Sequence, residues 1–372
     1  MKDCDFLMGV KEVPIDQLIP NKSYIFFSHT HKGQPQNIPL LSKICSNGIS
    51  LYDYELIKNK DRKRLVAFGG FAGYSGIINA FNGLGDILLS RGIRTPFIHV
   101  PLTHHFRNLN HVKEEMKALA EDIRVKGISK DANPIIFTFT GNGNVSKGAQ
   151  EIFKLLPHQW INPKDLKSAI ERGDLPNNQV YGCLVEAKDY CKRKDGKEFI
   201  YEDYLNNPEA YESHFHESIA PYSTVIINGI YWEEKYPRLL TKEQMKVIQS
   251  NESSKLLSIA DISCDIDGSI EFMGKASTID EPFYYYNALT DKYEKQGENS
   301  GNSVQIMSID NLPTELPEDS SKFFGNHLKP LIASLVQKMH LRRYLHYFIL
   351  LFRRDWKRMK LQKTAKLQMK EK

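Results

Sequence analysis

The chain has 372 residues, of which 41% are hydrophobic and 26% are charged. This length and composition are typical of a globular protein with about two domains. Five cysteines without a C-x-x-C pair predict a reducing compartment and exclude a disulfide framework. No apolar run in the sequence reaches the ~18 residues of a membrane-spanning helix.

The formal net charge of +5 is concentrated in the C-terminal tail, residues 337–372. This tail contains 12 Lys and Arg and two acidic residues, a balance of +10, so the residues before it carry −5. Because the positive charge lies in one segment, no nucleic-acid binding is predicted for the rest of the chain. The apolar patch Tyr347–Phe352, flanked by arginine pairs, would suit a helix at a membrane surface, but a solvated extension is the preferred interpretation.

Short apolar runs and helical patterns alternate along the chain, which predicts an α/β fold with a mainly parallel sheet. In chain order, the predicted elements are strands at Tyr24–Ser28 and Leu65–Phe68, a helix at Phe71–Ser90, a strand at Thr95–Val100, a helix at Leu109–Val125, and strands at Ile135–Thr140, His158–Ile161, Tyr222–Trp232 and Leu257–Ser263. The polar segment Lys292–Ser303 is predicted to be a loose insertion.

The segment Pro134–Phe153, PIIFTFTGNGNVSKGAQEIF, reads as a buried strand followed by a glycine-rich loop and a helix. Gly141, Gly143 and Gly148 would permit a tight turn and close approach of the backbone to a pyrophosphate at the helix N-terminus. A nucleoside-triphosphate loop would continue with Lys and Ser or Thr, whereas this loop continues with Ala and Gln. The pattern predicts a dinucleotide site, with a glycine-rich turn that binds nothing as the alternative.

In a dinucleotide fold, an Asp or Glu about 20 residues further along the chain binds the ribose hydroxyls. Here the predicted strand His158–Ile161 is followed by Asn162, Pro163 and Lys164, with no acid at its tip. A nearby lysine suits the 2′-phosphate of NADPH, so the sequence predicts NADPH over NADH. The alternative is that Lys164 is an ordinary solvated loop residue.

Seven segments carry a family resemblance that no single motif provides. They are GVKEVPIDQLIPNKSYIFFSHTHKGQ (Gly9–Gln34), LYDYE (Leu51–Glu55), RLVAFGGFAGYSGIIN (Arg64–Asn79), FTGNGNVSKGAQEIF (Phe139–Phe153), TVIINGIYW (Thr224–Trp232), DISCDIDGSIEF (Asp261–Phe272) and SIDNLPTELP (Ser308–Pro317). Together they resemble the lysine–2-oxoglutarate reductase portion of α-aminoadipic semialdehyde synthase, which is related to saccharopine and alanine dehydrogenases.

This resemblance implies a Rossmann-like doubly wound parallel sheet with a second, smaller and incomplete α/β substrate domain. The implied regions are residues 1–72, a partial substrate domain similar to the N-terminal domain of alanine dehydrogenase; 73–318, a dinucleotide-binding domain with a crossing helix; 319–336, a helix returning to the substrate domain; and 337–372, a basic tail outside the resemblance. The implied reaction is NADPH-dependent condensation of L-lysine with 2-oxoglutarate to saccharopine, the first step of lysine degradation.

The implied chemistry moves protons when the amine attacks the ketone and when water leaves, so the site needs acid–base groups. By resemblance, these groups are Lys11 and His29; the alternative for His29 is a hydrogen-bonded histidine that caps a strand end. The substrates carry three carboxylates and an α-ammonium. Lys32 and Arg64 fall on family positions that face the substrate, and Glu55 on a position suited to an ammonium, although each residue could also be simply solvated.

The resemblance and the glycine pattern together assign a set of residues to the NADPH site, and no metal site is predicted. Asp265 matches the acid that lies beside the nicotinamide and ribose in the related dehydrogenases, whereas Asp261 is predicted to be structural. The complete predicted set is Gly141, Gly143, Asn144, Val145, Gly148, Asn162, Lys164, Asp265, Asp310 and Asn311.

Two departures from the family give an alternative function. The resemblance begins near GVKEVP, so the family's first strand and its Arg-bearing substrate loop are expected to be missing, and the saccharopine dehydrogenase portion is absent downstream. The alternative is therefore a truncated, catalytically silent NADP-binding module. The resemblance implies a mitochondrial location, with the cytoplasm as the alternative because no targeting segment is present; the oligomeric state is left open.

Overall fold

The computed structural model describes residues 3–4, 6–60, 64–295, 297 and 301–338, with side chains described at all of these except Lys32, Gln36 and 336–338. The chain divides into two compact units. Unit 1 takes in the described residues up to Ala67 together with those from Ser321 onward, and unit 2 is Phe68–Ser320. The basic tail beyond residue 338, including the patch Tyr347–Phe352, lies outside the described residues.

Unit 1 is built on a three-stranded parallel sheet in the order β1 (Phe6–Lys11), β2 (Ser23–Phe27) and β3 (Ser50–Asp53). Helix α1 (Ile38–Ser46) connects β2 to β3, as a crossover between parallel strands requires. Its core consists of the buried apolar residues Leu7, Leu18, Tyr24, Phe26, Leu40 and Ile44.

Unit 2 is an α/β unit around a larger sheet. The strands of this unit are β4 (Ile136–Thr140), β5 (His158–Trp160), β6 (Val180–Val185), β7 (Cys191–Arg193), β8 (Tyr211–Ser213), β9 (Val225–Asn228), β10 (Ser258–Asp261), β11 (Phe283–Asn287), β12 (Lys292–Glu294) and β13 (Val304–Met307). Strands β7 and β8 pair with each other in a separate two-stranded antiparallel sheet. The remaining helices of the described chain are α2 (Gly69–Ser90), α3 (Leu109–Lys126), α4 (Asn144–Phe153), α5 (Leu166–Glu171), α6 (Ala187–Tyr190), α7 (Tyr201–Asn206), α8 (Phe215–Ser218), α9 (Lys242–Ser250) and α10 (Pro317–Lys338).

The large sheet has the strand order β12-β11-β13-β10-β9-β4-β6-β5. The six strands β13, β10, β9, β4, β6 and β5 pair in parallel with their neighbours. Strand β11 pairs antiparallel with β13 on one side and with β12 on the other. Alternate residues of β4 enter different cores, with Phe137 and Phe139 in one apolar cluster and Ile136 in another. The predicted α/β class with a doubly wound, mainly parallel sheet is therefore confirmed.

The strand predicted to follow the glycine loop does not lie beside β4. Strand β6 pairs with β4 on one side and with β5 on the other, so β5 is at the edge of the sheet. The sequence analysis placed the ribose site after β5 by its distance along the chain, and that assignment stays a prediction. Chain order alone cannot specify which of two successive strands pairs with the first, because pairing depends on contacts distant in sequence.

Several local predictions were also wrong or too long. The predicted strand Thr95–Val100 is a 3₁₀ helix over Pro96–His99, in which Phe97 and Val100 are buried three residues apart, a helical and not an alternating period. Residues 65–68 form a bend that leads into α2 and not a strand. The run Tyr222–Trp232 contributes only β9, and the predicted insertion Lys292–Ser303 begins with β12.

Close packing of α2 against α4 positions the glycine loop. A Cβ atom at Gly148 would lie 2.3 Å from the carbonyl oxygen of Gly70, and one at Gly73 would lie 2.1 Å from that of Val145. Glycine at these positions therefore lets the two backbones touch.

Among the described helices, none is long and apolar enough to cross a membrane.

Candidate functional site

The carboxyl edge of the sheet in unit 1 collects polar side chains. Lys11 ends β1 and is in register with Phe27 of β2, while His29 and Glu55 each follow the last residue of their strand by two positions. Since all three strands are parallel, these residues emerge at the same edge. Lys11 is exposed to solvent.

Glu55 is the centre of this cluster. Its side chain is only 7% exposed. Its Oε2 lies 3.0 Å from His31 Nδ1 and 3.6 Å from His29 Nδ1, and its Oε1 lies 3.1 Å from Arg64 Nη2. The structure therefore brings together three of the predicted residues, His29, Glu55 and Arg64, and adds His31.

The charges around Glu55 keep its carboxyl ionised. The interaction with the His29 ring is the largest cause that lowers the pKa of Glu55, burial opposes it, and the Arg64 charge lowers the pKa further, to about 2. Within the described residues, Oε2 is buried and accepts no well-aligned hydrogen bond. A buried carboxylate oxygen with this free capacity can accept from a substrate ammonium.

Asp53 fixes the position of Glu55. Its Oδ1 accepts a hydrogen bond from the Glu55 backbone N–H at 2.8 Å, and its Oδ2 accepts from the Ser28 hydroxyl at 2.5 Å. Ser28 Oγ in turn accepts from the backbone N–H of Thr30 at 3.2 Å. Asp53 thus ties the end of β3 to the turn that carries His29.

The backbone at His29 is in the left-handed region, with φ of +54°. A non-glycine residue there carries a conformational cost, of order 1–3 kcal/mol, that persists where surrounding contacts impose it. The Asn37 side chain donates to the His29 carbonyl oxygen at 3.1 Å, which helps to hold this turn. Strain of this kind is typical of functional positions.

Tyr54, next to Glu55 in the chain, is fully buried. Its ring centroid lies 5.0 Å from that of Phe27 and 5.2 Å from that of Phe324. Burial raises the pKa of its hydroxyl well above the ordinary value. These ring contacts pack the residue that directly precedes Glu55 in the chain.

Lys32 belongs to a short 3₁₀ helix over Thr30–Lys32, and its side chain lies outside the described part of the structure. His31 was missed by sequence reasoning, although the His-Thr-His spacing directly after a strand was a signal that could have identified it. Arg64 was predicted to face the substrate, and its described contact is the ion pair with Glu55.

A group of three side chains has metal-ligand character. Ligand atoms of His31, Asp53 and Glu55 lie within 4.8 Å of one another. Both carboxylate oxygens of Asp53 already accept hydrogen bonds from within the protein. The arrangement is therefore accounted for as a hydrogen-bonded support for Glu55.

In unit 2, the glycine loop has the local geometry of an anion cradle. Gly141 has φ of +72°, a conformation that favours glycine. Gly143 is the residue before α4, and a Cβ atom at this position would have no neighbour within 4 Å. No side chain caps the start of α4. Backbone N–H groups at the start of α4 are thus available to an anion, and these features fit a pyrophosphate.

The other loop residues have distinct roles. Gly148 packs on Gly70 as described, so its lack of a Cβ atom lets the two helices touch. Asn144 is exposed in the first turn of α4, whereas Val145 is partly buried and would contact a Cβ at Gly229 at 2.9 Å. Ser146 is buried and its hydroxyl accepts from the Gln150 amide at 3.0 Å.

A buried polar network follows the loop along the carboxyl edge of the large sheet. Thr140 donates to Asn228 at 2.7 Å, and the Asn228 amide donates to Asp261 Oδ1 at 2.9 Å. Burial raises the pKa of Asp261 to about 6, although hydrogen bonds from Ser263 and Asn228 lower it. The network links β4, β9 and β10 across the point where the strand order reverses, where ligands bind in open α/β sheets.

The remaining predicted cofactor residues lie in loops after strands of this sheet. Asp265 is half-buried four residues beyond the end of β10. Asp310 and Asn311 are exposed beyond β13, where the Asn311 amide donates to Asp310 Oδ2 at 3.2 Å. These loops follow neighbouring parallel strands, so they lie along the same edge as the glycine loop.

Asn162 and Lys164 follow β5 at the edge of the sheet. The Asn162 side chain accepts from the backbone N–H of Lys164 at 3.1 Å, and both residues are exposed. The residue that follows β6, one of the two strands that pair with β4, is Glu186, which sequence reasoning missed. Its side chain is 43% exposed and its Oε2 lies 3.1 Å from Lys188 Nζ.

Comparisons with known proteins agree with the sequence resemblance. No family model matches the chain. The chain is 39% identical over 345 residues to α-aminoadipic semialdehyde synthase of Arabidopsis thaliana, and the match covers 90% of this chain and 32% of that protein. It is 40% identical over 343 residues to the mitochondrial α-aminoadipic semialdehyde synthase of Bos taurus, and this match covers 89% of this chain and 37% of the bovine protein. The predicted resemblance is therefore confirmed, and the chain spans about a third of the length of these relatives.

More distant similarities were also found. The NAD(+)-dependent, L-lysine-forming saccharopine dehydrogenase of Schizosaccharomyces pombe is 23% identical over 336 residues, covering 89% of this chain and 74% of that protein. A solved structure of L-alanine dehydrogenase superimposes with a TM-score of 0.46 at 12% identity, covering 90% of this chain and 72% of that one.

Proposed function

We propose that the protein is an oxidoreductase that condenses L-lysine with 2-oxoglutarate and reduces the product to saccharopine with a nicotinamide dinucleotide. The observation that carries this proposal is the buried, ionised Glu55 between two imidazoles and a guanidinium at the sheet edge of unit 1. It occurs in a chain about 40% identical to α-aminoadipic semialdehyde synthases. A mitochondrial location, as in the name of the bovine relative, is part of the same proposal.

Glu55 suits the binding of an amino-acid substrate. Its Oε2 has remaining acceptor capacity in a buried setting, so it would receive the α-ammonium of an amino acid. Arg64, held on Oε1 of the same carboxylate, and Lys32 would supply the positive charge for substrate carboxylates. This pairing of charges matches a substrate that carries both signs.

His29 and Lys11 would carry the acid–base steps. Because His29 Nδ1 faces Glu55, its Nε2 is the ring atom that remains for the substrate. There His29 would protonate the oxygen of the carbinolamine, so that it leaves as water and a C=N bond forms. Lys11, at the end of the neighbouring strand, would accept the proton from the attacking ε-ammonium of L-lysine.

The dinucleotide, when bound, supplies a hydride to the imine carbon. The residues of this chain that would hold it are the backbone N–H groups of Gly143, Asn144 and Val145 at the pyrophosphate, with Asp265, Asp310 and Asn311 assigned to its nicotinamide side by resemblance. NADPH as the reductant was predicted from Asn162 and Lys164. That preference stays a prediction, and its physical basis is weaker because both residues follow β5 and not the strand beside β4.

A coupled absorbance assay tests the proposal. The protein is mixed with NADH or NADPH, L-lysine and 2-oxoglutarate, and oxidation of the dinucleotide is followed, with each substrate omitted in turn. We expect oxidation only when both substrates are present, and we expect saccharopine by mass spectrometry. Dinucleotide binding without oxidation would contradict the proposed reaction and support the alternative, a catalytically silent binding module.

A further inference from the structure

The position of Glu186 relative to the glycine loop is set by strand register. Thr140 of β4 is paired with Val185 of β6, so the next residues, Gly141 and Glu186, emerge side by side. The backbone N–H of Gly141 donates to the carbonyl oxygen of Val185 at 2.8 Å, and that carbonyl belongs to the peptide bond that Glu186 completes. Glu186 is therefore fixed beside the first turn of the predicted pyrophosphate loop.

Lys164 has no comparable relation to the loop. Strand β5 ends at Trp160, which is level with Gly182 of β6 and hence with Phe137 of β4. Strand β6 lies between β5 and β4, so two strand spacings, about 10 Å, separate β5 from the glycine-loop strand. Lys164, on which NADPH was predicted, therefore follows a strand that does not pair with the glycine-loop strand.

In dinucleotide folds, an Asp or Glu near the glycine loop binds the ribose 2′-hydroxyl of NAD, whereas a nearby Arg accommodates the 2′-phosphate of NADP. A carboxylate there accepts hydrogen bonds from the ribose hydroxyls of NAD(H), and it repels the 2′-phosphate of NADP(H). We propose that Glu186 is this acid and that the protein prefers NADH to NADPH. This inference rests on the proposed function, because it assumes that the glycine loop holds a dinucleotide.

The carboxylate of Glu186 is held in place at the strand tip. Asp189 Oδ2 accepts the backbone N–H of Glu186 at 2.8 Å, and the Asp189 N–H donates to the Glu186 carbonyl oxygen at 2.8 Å, with the Glu186 side chain beside it in a capping-box arrangement. This reciprocal capping box orients the side chain without using all of its acceptor positions. Lys188 Nζ, 3.1 Å away, satisfies one further position, which leaves capacity for ribose hydroxyls.

Calorimetric titration with NADH and NADPH tests the inference through binding, independently of turnover. The variants are Glu186→Gln, which keeps a capping acceptor but removes the charge, and the matched control Asp165→Asn. Asp165 is an exposed acid beside Lys164 whose side chain makes no capping hydrogen bond. We expect the wild type and Asp165→Asn to bind NADH at least about tenfold more tightly than NADPH, as expected for a hydrogen bond to a charged group.

In Glu186→Gln we expect this ratio to fall at least about tenfold, because the repulsion is removed and Lys188 is released to meet a 2′-phosphate. Equal affinities in the wild type, tighter binding of NADPH, or an unchanged ratio in Glu186→Gln would overturn the inference while leaving the proposed function intact. Absence of binding by both dinucleotides would overturn the inference together with the cofactor site of the proposed function.

Discussion

The backbone N–H of Glu55 donates a hydrogen bond to Asp53, with 2.8 Å between N and Oδ1. The other oxygen of Asp53 accepts from Ser28 of the neighbouring strand end. A single buried side chain therefore determines where the central carboxylate of the cluster lies relative to His29.

Replacing this support should lower stability. In Asp53→Asn, the amide group can accept only one of the two hydrogen bonds, and its NH₂ would face a donor. We expect the free energy of unfolding to fall by about 1–3 kcal/mol, measured by urea denaturation. Asp16→Asn, at an exposed position of unit 1, should change it by less than about 0.5 kcal/mol. Equal effects of the two substitutions would contradict the role of Asp53.

Removal of the proposed acid–base groups should affect turnover more than cofactor binding. We expect His29→Asn and Lys11→Met each to reduce kcat by about 10²–10⁴-fold. The dissociation constant for the dinucleotide should stay within about twofold of the wild-type value, because neither residue is assigned to the cofactor site. His31→Asn is the matched histidine control and should reduce kcat much less, since only His29 is assigned the proton transfer. Wild-type kcat in either of the first two variants would remove that residue from the mechanism.

Glu55 should make stability depend on acid pH. Folding lowers its pKa from 4.5 to about 2, so the stabilisation is complete above pH 4.5 and is lost as the pH falls towards 2. We expect the free energy of unfolding to lose up to ~3 kcal/mol over this window. This loss should be absent in Glu55→Gln and retained in the exposed control Glu12→Gln. If the free energy of unfolding of Glu55→Gln depended on pH in the same way as that of the wild type, the Glu55 carboxylate would not be the source of this stabilisation.

Asp261 should have the opposite effect. Folding raises its pKa from 3.8 to about 6, mainly through burial, so the native state binds this proton more tightly and loses stability as the pH rises from 3.8 to 6. We expect Asp261→Asn to remove this fall in the free energy of unfolding, measured by denaturation at a series of pH values. The exposed control Asp131→Asn should retain the fall in the free energy of unfolding. If Asp261→Asn also retains this fall, Asp261 is not the group that causes it.

Two glycines of the same loop should respond differently to substitution. Gly148→Ala would place a Cβ 2.3 Å from the Gly70 oxygen, so we expect the free energy of unfolding to fall by about 1–3 kcal/mol or more. Gly143→Val meets open space in the protein, so the fold should persist while most dinucleotide affinity is lost. Unchanged affinity in folded Gly143→Val would mean that the pyrophosphate is bound elsewhere.

Local sequence signals identified much of this structure. The β-branched and aromatic run before Gly141 predicted β4, and the glycines predicted the turn into α4, because both signals are contained in a few adjacent residues. The pattern failed at Thr95–Val100, where Pro96 starts a 3₁₀ turn whose buried residues mimic a short strand. Local features are thus readable, but short apolar runs are ambiguous between conformations.

Long-range pairing was the part that the sequence could not specify. Strand β4 pairs with β6 and β9 and not with β5, so Asn162 and Lys164 follow a strand that does not pair with β4, and Glu186 was missed. In the same way, the approach of His31 and Arg64 to Glu55 depends on how three strand ends meet. The family resemblance supplied His29, Glu55 and Arg64 as candidates, but their mutual distances required the structure.

The most direct measurement of the central claim is the mass of the product formed from a dinucleotide deuterated at the transferred position of its nicotinamide ring. With L-lysine and 2-oxoglutarate, we predict saccharopine that is heavier by one deuterium, located at the carbon that was the ketone of 2-oxoglutarate. Its formation should require both substrates and should fall sharply in His29→Asn. Oxidation of the dinucleotide without labelled saccharopine, or no product from a protein that binds the dinucleotide, would contradict the account.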